Sequence, residues 1–416
     1  MKIENLRKES KDNYSRIVAT VTWENCDRAP QEIYFETTAL YSQDLYCNPN
    51  SFLLACTLPA MRYGEKRIKI DAPICPELKD GLINAMKCLI HWHGGDRKVI
   101  KIDAPVKHQE LFTHKKPRAG CLFSGGIDAL AMVRDNHLNF DINHPRRIQD
   151  GILVYGVLQG ENQYDPSFQN VVDAASLMAN DAGINLIQVN TNAYAHFRDL
   201  DPDFSFWRFE YLGSFLAAIA HIFAPRLRVA SIASTYDLAH LEPWGSHPLL
   251  DPLYSNNNLQ IRHENVALSR LEKTKLVAEW DVTIEQLRVC NEKISYSQGN
   301  YNCGQCEKCV RTMTALLSLG LLEKTATFRD KDVSQELLIN TCYLSDTYEV
   351  NCYRELIEPL QQMGRNDLVE GIKYIIKRYY EQDLKGTIKR LDRALFNGVL
   401  FDLGKKILSS SHPSMT

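Results

Sequence analysis

Two short stretches of the chain carry residue types at spacings that can do chemistry. The first, Cys303-Gly304-Gln305-Cys306-Glu307-Lys308-Cys309, holds three thiols at two-residue gaps, and Cys290 precedes them across the polar loop Asn291 to Asn302. Four thiolates suit tetrahedral Zn²⁺, and because four protein ligands leave no open position for water, the expected role is structural. An iron–sulfur cluster uses similar gaps and is the main alternative. Unliganded thiols are the other, although three so close together would be an oxidation liability. The second stretch, Cys121-Leu122-Phe123-Ser124-Gly125-Gly126-Ile127-Asp128-Ala129-Leu130, puts a hydrophobic strand, two glycines and an acid in front of a helix. Glycines let the backbone turn tightly, so successive N–H groups and the positive helix end point at an anion such as phosphate. Ser124 adds a hydroxyl donor, and Asp128 is placed to hold Mg²⁺ bridging phosphates. A plain glycine turn between strand and helix is the alternative.

The elements that must position these groups follow from hydrophobic periodicity. Strand patterns at Gly120 to Phe123, Gly151 to Leu158, Asn185 to Val189 and Leu227 to Ala233 alternate with helical patterns at Asp128 to His137, Ser167 to Ala182 and Arg208 to Phe223. Alternation of this kind predicts an α/β fold with a doubly wound parallel sheet. Before it, Arg16 to Trp23 and Lys98 to Ile102 read as strands around a helix from Pro76 to His93. This looks like a separate α+β unit followed by a basic linker, His114 to Arg118. After about Thr325 the pattern is helical, with Arg354 to Met363, Leu368 to Tyr380 and Leu384 to Leu395 the clearest segments. The expected domains are 1–115, an accessory α+β unit; 116–325, a nucleotide-binding unit carrying the cysteine knuckle; and 326–416, a helical region. Lys373, Lys377, Arg378, Lys385, Lys389, Arg390 and Arg393 give the last helices a basic character. A solvated face interspersed with Glu381, Asp383 and Asp392 is preferred to a nucleic-acid surface.

Composition narrows the class. In 416 residues, 44% are hydrophobic and 24% charged, and 48 Lys plus Arg against 51 Asp plus Glu give a net charge of −3. That excludes a disordered chain and a wholly basic nucleic-acid sleeve. The longest apolar run, Tyr211 to Ala224, is short for a bilayer and contains Gly213, Ser214 and His221, so it reads as a buried helix, and no membrane partner is expected. Met1 to Arg16 is crowded with charges and lacks the features of a secretory signal, so a cytoplasmic location is expected. In a reducing compartment the eight scattered cysteines, Cys26, Cys47, Cys56, Cys75, Cys88, Cys121, Cys342 and Cys352, read as buried small hydrophobes.

With no lysine in its loop, Ser124-Gly125-Gly126-Ile127-Asp128 is not a Walker-type phosphate loop. It resembles the Ser-Gly-Gly-x-Asp-Ser signature of the PP-loop ATP pyrophosphatases, with Ala129 in place of the final serine. A PP-loop followed by a cysteine knuckle resembles the 7-cyano-7-deazaguanine synthase family over about Ala119 to Leu316, roughly half the chain. The resemblance implies an adenine nucleotide alpha hydrolase-like fold, with ATP, Mg²⁺ and Zn²⁺ as cofactors. The implied reaction is adenylation of a carboxylate such as that of 7-carboxy-7-deazaguanine, followed by coupling to an amine. Within Leu268 to Leu276 it marks Lys273 as second phosphate ligand, with Lys275 in reserve; exposed helical lysine is the alternative. Nucleotide binding then falls to Ser124, Gly125, Gly126, Ile127 and Asp128, and catalysis to Asp128 and Lys273.

The segment Asp237 to Pro252 follows a strand, where open α/β sheets place ligands, and is expected to shape the acceptor pocket. Trp244 would stack on a flat ring, His247 would shuttle a proton, Asp251 would accept two N–H bonds, and Asp237 is counted with them. The alternatives are a core Trp244, a satisfied loop His247 and a turn-shaping Asp251 before Pro252. The segment departs from the Tyr-Pro-Asp-Cys type found in the synthase. The flanking units point to a larger acceptor; extended relatives occur in bacterial antiviral gene sets, so the resemblance allows a partner-protein amine in place of ammonia. Two other classes are kept: a tRNA-modifying PP-loop enzyme of thiolation or lysidine type, and a non-catalytic nucleotide-binding regulator.

Overall fold

A computed structural model of the chain describes residues 1–95, 97–108, 111–112, 118–155, 166–290, 301–381, 387–388, 391–392 and 395. The expected linker at 114–117, the loop 291–300, most of the helix expected from Leu384 to Leu395, and Lys385, Lys389, Arg390 and Arg393 lie outside the described residues. The fold is α/β. Its strands are β1 (Lys2–Lys11), β2 (Tyr14–Thr22), β3 (Gln31–Thr38), β4 (Arg67–Ile70), β5 (Lys101–Asp103), β6 (Arg118–Leu122), β7 (Ile148–Tyr155), β8 (Asn185–Thr191), β9 (Leu227–Ala233) and β10 (Gln260–Glu264). They form one ten-stranded sheet in the order β10-β9-β6-β7-β8-β3-β2-β1-β4-β5.

From β10 to β8 all pairs are parallel, and β8, β3, β2 and β1 then pair antiparallel. One sheet therefore runs across the boundary expected near residue 115, joined through Phe35↔Thr191, Glu36↔Asn190 and Thr37↔Val189. The charge-crowded amino terminus is itself a strand. Half of β1 is exposed, a bulge lies between Glu4 and Arg7, and Asn5 has φ 56°. Charges and a bulge are the devices that keep a weakly covered strand from pairing with other chains.

Helices α1 (Pro49–Arg62), α2 (Pro76–His93), α3 (Ile127–Asn139), α4 (Pro166–Asp181) and α5 (Leu212–His221) accompany this sheet. The expected helix from Arg208 is a π-turn, Trp207–Tyr211, before α5. Buried Glu210 sits in that turn and meets Arg97 at 2.9 Å. The apolar run expected as a buried helix is α5, and among the described residues no helix is long and apolar enough to cross a membrane.

A second compact unit comprises the chain from Ala267 onward with Asp201–Ser205 and Tyr236–His240. It contains α6 (Arg270–Ala278), α7 (Asp281–Gln286), α8 (Glu307–Ser318), α9 (Gln335–Thr341), α10 (Thr347–Arg354), α11 (Ile357–Gln362) and α12 (Asn366–Glu381). The helix α12 buries Leu368, Val369, Ile372 and Ile375 at helical spacing. Of its basic residues, Lys373 pairs with Glu370, Lys377 with Glu381, and Arg378 donates to the carbonyls of Ile339 and Cys342.

The centre of the sheet is held by a buried carboxylate. Asp150, on β7, accepts both nitrogens of a guanidinium fork from Arg118 on β6 (2.6 and 2.9 Å) and from Arg226 before β9 (3.0 and 2.8 Å). Asn185 of β8 donates to it as well, at 2.8 Å. Burial alone would push this carboxyl up, but the two arginines together outweigh burial and hold it below its ordinary value. Because the folded value is depressed, the associated stability is present at neutral pH and is lost as pH falls below the ordinary aspartate value of about 3.9. Asp150→Ala leaves Arg118 without a carboxylate and Arg226 with Asp44 alone, and should cost about 3–5 kcal/mol in denaturant unfolding at pH 7. The deficit relative to the unmodified chain should shrink in acid.

Candidate functional site

The glycine loop leaves the carboxyl end of β6. Phe123 extends the ladder by donating to the Ile152 carbonyl (2.8 Å), and Ser124 is exposed. Gly125 has φ +72°, a left-handed conformation a side chain disfavours, and a Cβ there would also meet the Met178 methyl at 3.2 Å. Gly126 is the N-cap of α3 and offers no side-chain cap to its first turn. Its own N–H donates to Ser124 Oγ at 3.3 Å. Asp128 lies in that first turn, where a carboxylate also favours the helix dipole. Ala129, at the position of the signature's last serine, is buried.

Strand order reverses here. From β6 the chain steps to β7 and β8 on one side, then returns to β9 on the other and continues to β10. The adjacent carboxyl ends of β6 and β9, from which Ser124 and Ser234 depart, thus mark the topological switch point at which open α/β sheets bind ligands.

In the second unit the four cysteines converge. All Sγ atoms of Cys290, Cys303, Cys306 and Cys309 lie within 4.8 Å of one another, with Cys290···Cys306 at 3.9 Å and Cys303···Cys309 at 3.8 Å. Tetrahedral sulfurs about 2.3 Å from zinc are about 3.8 Å apart, so the donor set fits a closed metal centre such as zinc. The turn is built locally. Gly304 has φ +72°, and the Gln305 and Cys306 amides point at Cys303 Sγ (3.5 and 3.3 Å), as they would toward a thiolate. Cys306 caps α8, and Cys309 sits in its first turn. Hydrogen bonding from Cys309 outweighs burial and pushes the Cys306 thiol below its ordinary value.

Asn302 sets the return of the first ligand. Its Oδ1 accepts from the amides of Val289 and Cys290, while its Nδ2 donates to the carbonyls of Leu287 and Thr327. Thiol spacing does not mark Asn302; its local signal is an asparagine, a residue that bonds nearby backbone, directly before a ligand in a turn. Among the scattered thiols, Cys56, Cys75, Cys121, Cys342 and Cys352 are buried as expected. Cys47 and Cys88 are partly covered, and Cys26 is exposed because it sits in the link between β2 and β3.

The remaining candidates divide between the two units. Trp244 is half-buried with its ring edge-on to Phe209, centroids 5.1 Å apart. His247 is buried, its Nδ1 accepts from the Leu249 amide (3.1 Å), and its ring meets Trp92 edge-on at 4.8 Å. Burial, and then His263, push this histidine down, so it is neutral at pH 7.

Asp251 is fully buried. One oxygen accepts from Ser246 Oγ and His263 Nδ1, both at 2.7 Å, and the other from the His247 amide at 3.3 Å. Its oxygens thus hold this segment together, the turn-shaping alternative extended by a partner from β10. No local signal marks His263. In the second unit, Asp237 accepts from the Ala239 amide and His240 Nδ1, and its Oδ2 is buried with no partner among the described residues. Lys273 is 1% exposed, whereas Lys275 is exposed and 3.9 Å from Glu279. Lysines are almost never fully buried without a partner, so Lys273 is not an ordinary surface lysine.

No family model, curated protein or solved structure matches this chain.

The cysteine geometry makes a measurable claim. Elemental analysis of the purified chain should give one zinc per chain and neither iron nor acid-labile sulfide. Cys309→Ser should release the metal and lower the melting temperature, whereas Cys26→Ser, at an exposed thiol, should change neither.

Proposed function

We propose that the Ser124–Asp128 loop binds the phosphates of ATP and that the chain adenylates a carboxylate, 7-carboxy-7-deazaguanine or a similar base, before coupling it to an amine. The carrying observation is the glycine loop itself: a left-handed Gly125 and a Gly126 N-cap without a side chain, at the carboxyl end of β6 beside the reversal of strand order. Backbone donors at a helix start suit phosphate oxygens, and the Ser124 hydroxyl stands at the same turn. Asp128 would hold Mg²⁺, which when bound neutralises charge on the phosphates.

In the proposed reaction a carboxylate oxygen attacks the α phosphorus. The α–β phosphoanhydride bond breaks, pyrophosphate leaves and a mixed acyl–phosphate anhydride forms. The amine nitrogen then attacks the acyl carbon, loses a proton and expels AMP. Trp244 and His247 are the candidates for holding the base and shuttling that proton. Resemblance alone assigns Lys273 to the phosphates. A closed set of four sulfurs favours this reading over thiolation, which needs a reactive thiol or an open iron.

The test is incubation with ATP, Mg²⁺ and 7-carboxy-7-deazaguanine, with and without ammonium, read by mass spectrometry. AMP, pyrophosphate and an acyl-adenylate are expected without ammonium, and the amide with it. Asp128→Asn should lower AMP release about a hundredfold. Lys275→Ala should leave it within about twofold, because exposed ion pairs contribute little. ATP binding without AMP for any carboxylate would assign the chain to nucleotide sensing, and no ATP binding would overturn the proposal.

A further inference from the structure

The half of α3 farther from the Ser124 loop borders a cavity of about 220 Å³, closed by the approach to β7 and the end of β10. At about 30 Å³ per water it holds roughly seven waters, or one branched α-amino acid. Part of its lining is apolar, from buried Met132 and Ile148. The polar lining is unbalanced in three places. Glu264 takes two guanidinium groups on one oxygen, Arg262 at 2.6 Å and Arg146 at 3.1 Å, so these arginines carry one positive charge more than the carboxylate cancels. Asp135 shows the opposite. It is partly buried, its side chain accepts from Asn139 (2.9 Å), and it meets no cation among the described residues. Burial pushes its carboxyl up against the Asn139 bond, and Glu264 adds to that push. The third place is the Asn265 amide nitrogen, buried with no hydrogen-bond partner among the described residues.

The protein's own contacts hold these groups in place. Asn136 donates to the Arg146 carbonyl (2.9 Å) and accepts from the Ile148 amide (2.8 Å), which fixes the turn that carries the arginine. The Arg146 guanidinium lies over the Phe140 ring, 5.0 Å from its centre, and His144 stacks on that ring at 4.2 Å. Asn265 has φ 64°, the left-handed conformation that asparagine adopts more readily than most residues. A surplus of positive charge, a surplus of negative charge and an unmet N–H thus share one small cavity.

We propose that this cavity binds the zwitterion of a small α-amino acid with an apolar side chain. The ammonium group donates to Asp135, and the carboxylate accepts from Arg146 and from the Asn265 amide. The side chain lies against Met132 and Ile148. A simple cation would leave the Arg146 and Asn265 donors unanswered, and a simple anion would face Asp135. Binding of this kind does not depend on ATP cleavage at the Ser124 loop.

The test is calorimetric titration of the full chain, without nucleotide, with L-leucine. Two compounds of the same shape are the controls: 3-methylbutylamine, which lacks the carboxylate, and 4-methylpentanoate, which lacks the ammonium group. Saturable leucine binding is expected, with each control at least about tenfold weaker, because each leaves a charged group of the cavity unanswered. Asp135→Asn should weaken leucine at least about tenfold. Asn265→Gly, which suits the left-handed backbone, should weaken leucine about fivefold and leave 3-methylbutylamine unchanged. Comparable binding of leucine and either control, undiminished leucine binding by either variant, or a leucine Kd above about 1 mM would each overturn the proposal. Should a variant alter the melting curve, the comparison of the three ligands on the unmodified chain decides alone. Adenylation failing while leucine binds would leave this site standing, and the reverse result would remove it without touching the loop.

Discussion

The architecture of the first unit depends on one buried carboxylate. Asp150 has no exposed surface, and burying a lone carboxylate costs several kcal/mol. Two guanidinium forks and an amide offset that cost, and the groups that do so belong to β6, β8 and the approach to β9. Four neighbouring strands are thereby referred to one point. The pairing of β6 is irregular on both sides at Arg118 to Gly120, where that strand enters the clamp. With its beginning fixed, β6 has a set register when it delivers Ser124 from its other end.

A comparable economy operates in the second unit. Its helices are mostly short, and isolated helices of that length are marginal in water. The cysteine cluster ties the chain after α7 to the first turn of α8, and Asn302 clasps the two approaches through four backbone groups. Metal binding and folding of such a knuckle are one equilibrium, since the unfolded chain holds no preformed site. A closed thiolate set therefore reads as scaffold.

Backbone sites and cross-strand side-chain pairs rest on different physics. At the Ser124 loop the recognition elements are main-chain donors at a helix start, which select charge and little else. Glu36 and Asn190, by contrast, come together only as a cross-strand pair of β3 and β8. Backbone sites of the first kind leave a motif in the sequence because they need glycines at given positions. Side-chain sites of the second kind leave none, because Glu36 and Asn190 are far apart in the chain.

The same division separates what was legible from what was not. Strands β6 to β9, the crossovers α3 and α4, the helix α2 and the knuckle were readable, because periodicity, glycine placement and thiol spacing are local. β1 was hidden by its charges, which serve an exposed strand as well as a loop. The π-turn at Trp207 to Tyr211 was hidden by an apolar run that fits any buried helix. Asp251 looked like an open acceptor until β10 brought His263 to it. By itself, the sequence determined β6 to β9, α2 to α4, the glycine turn before α3 and which thiols converge. The tertiary structure alone decided that β3 pairs with β8, that Asp150 meets Arg118 and Arg226, and that Glu36 faces Asn190. Such contacts depend on which edges and faces meet, and no residue type or spacing encodes that locally.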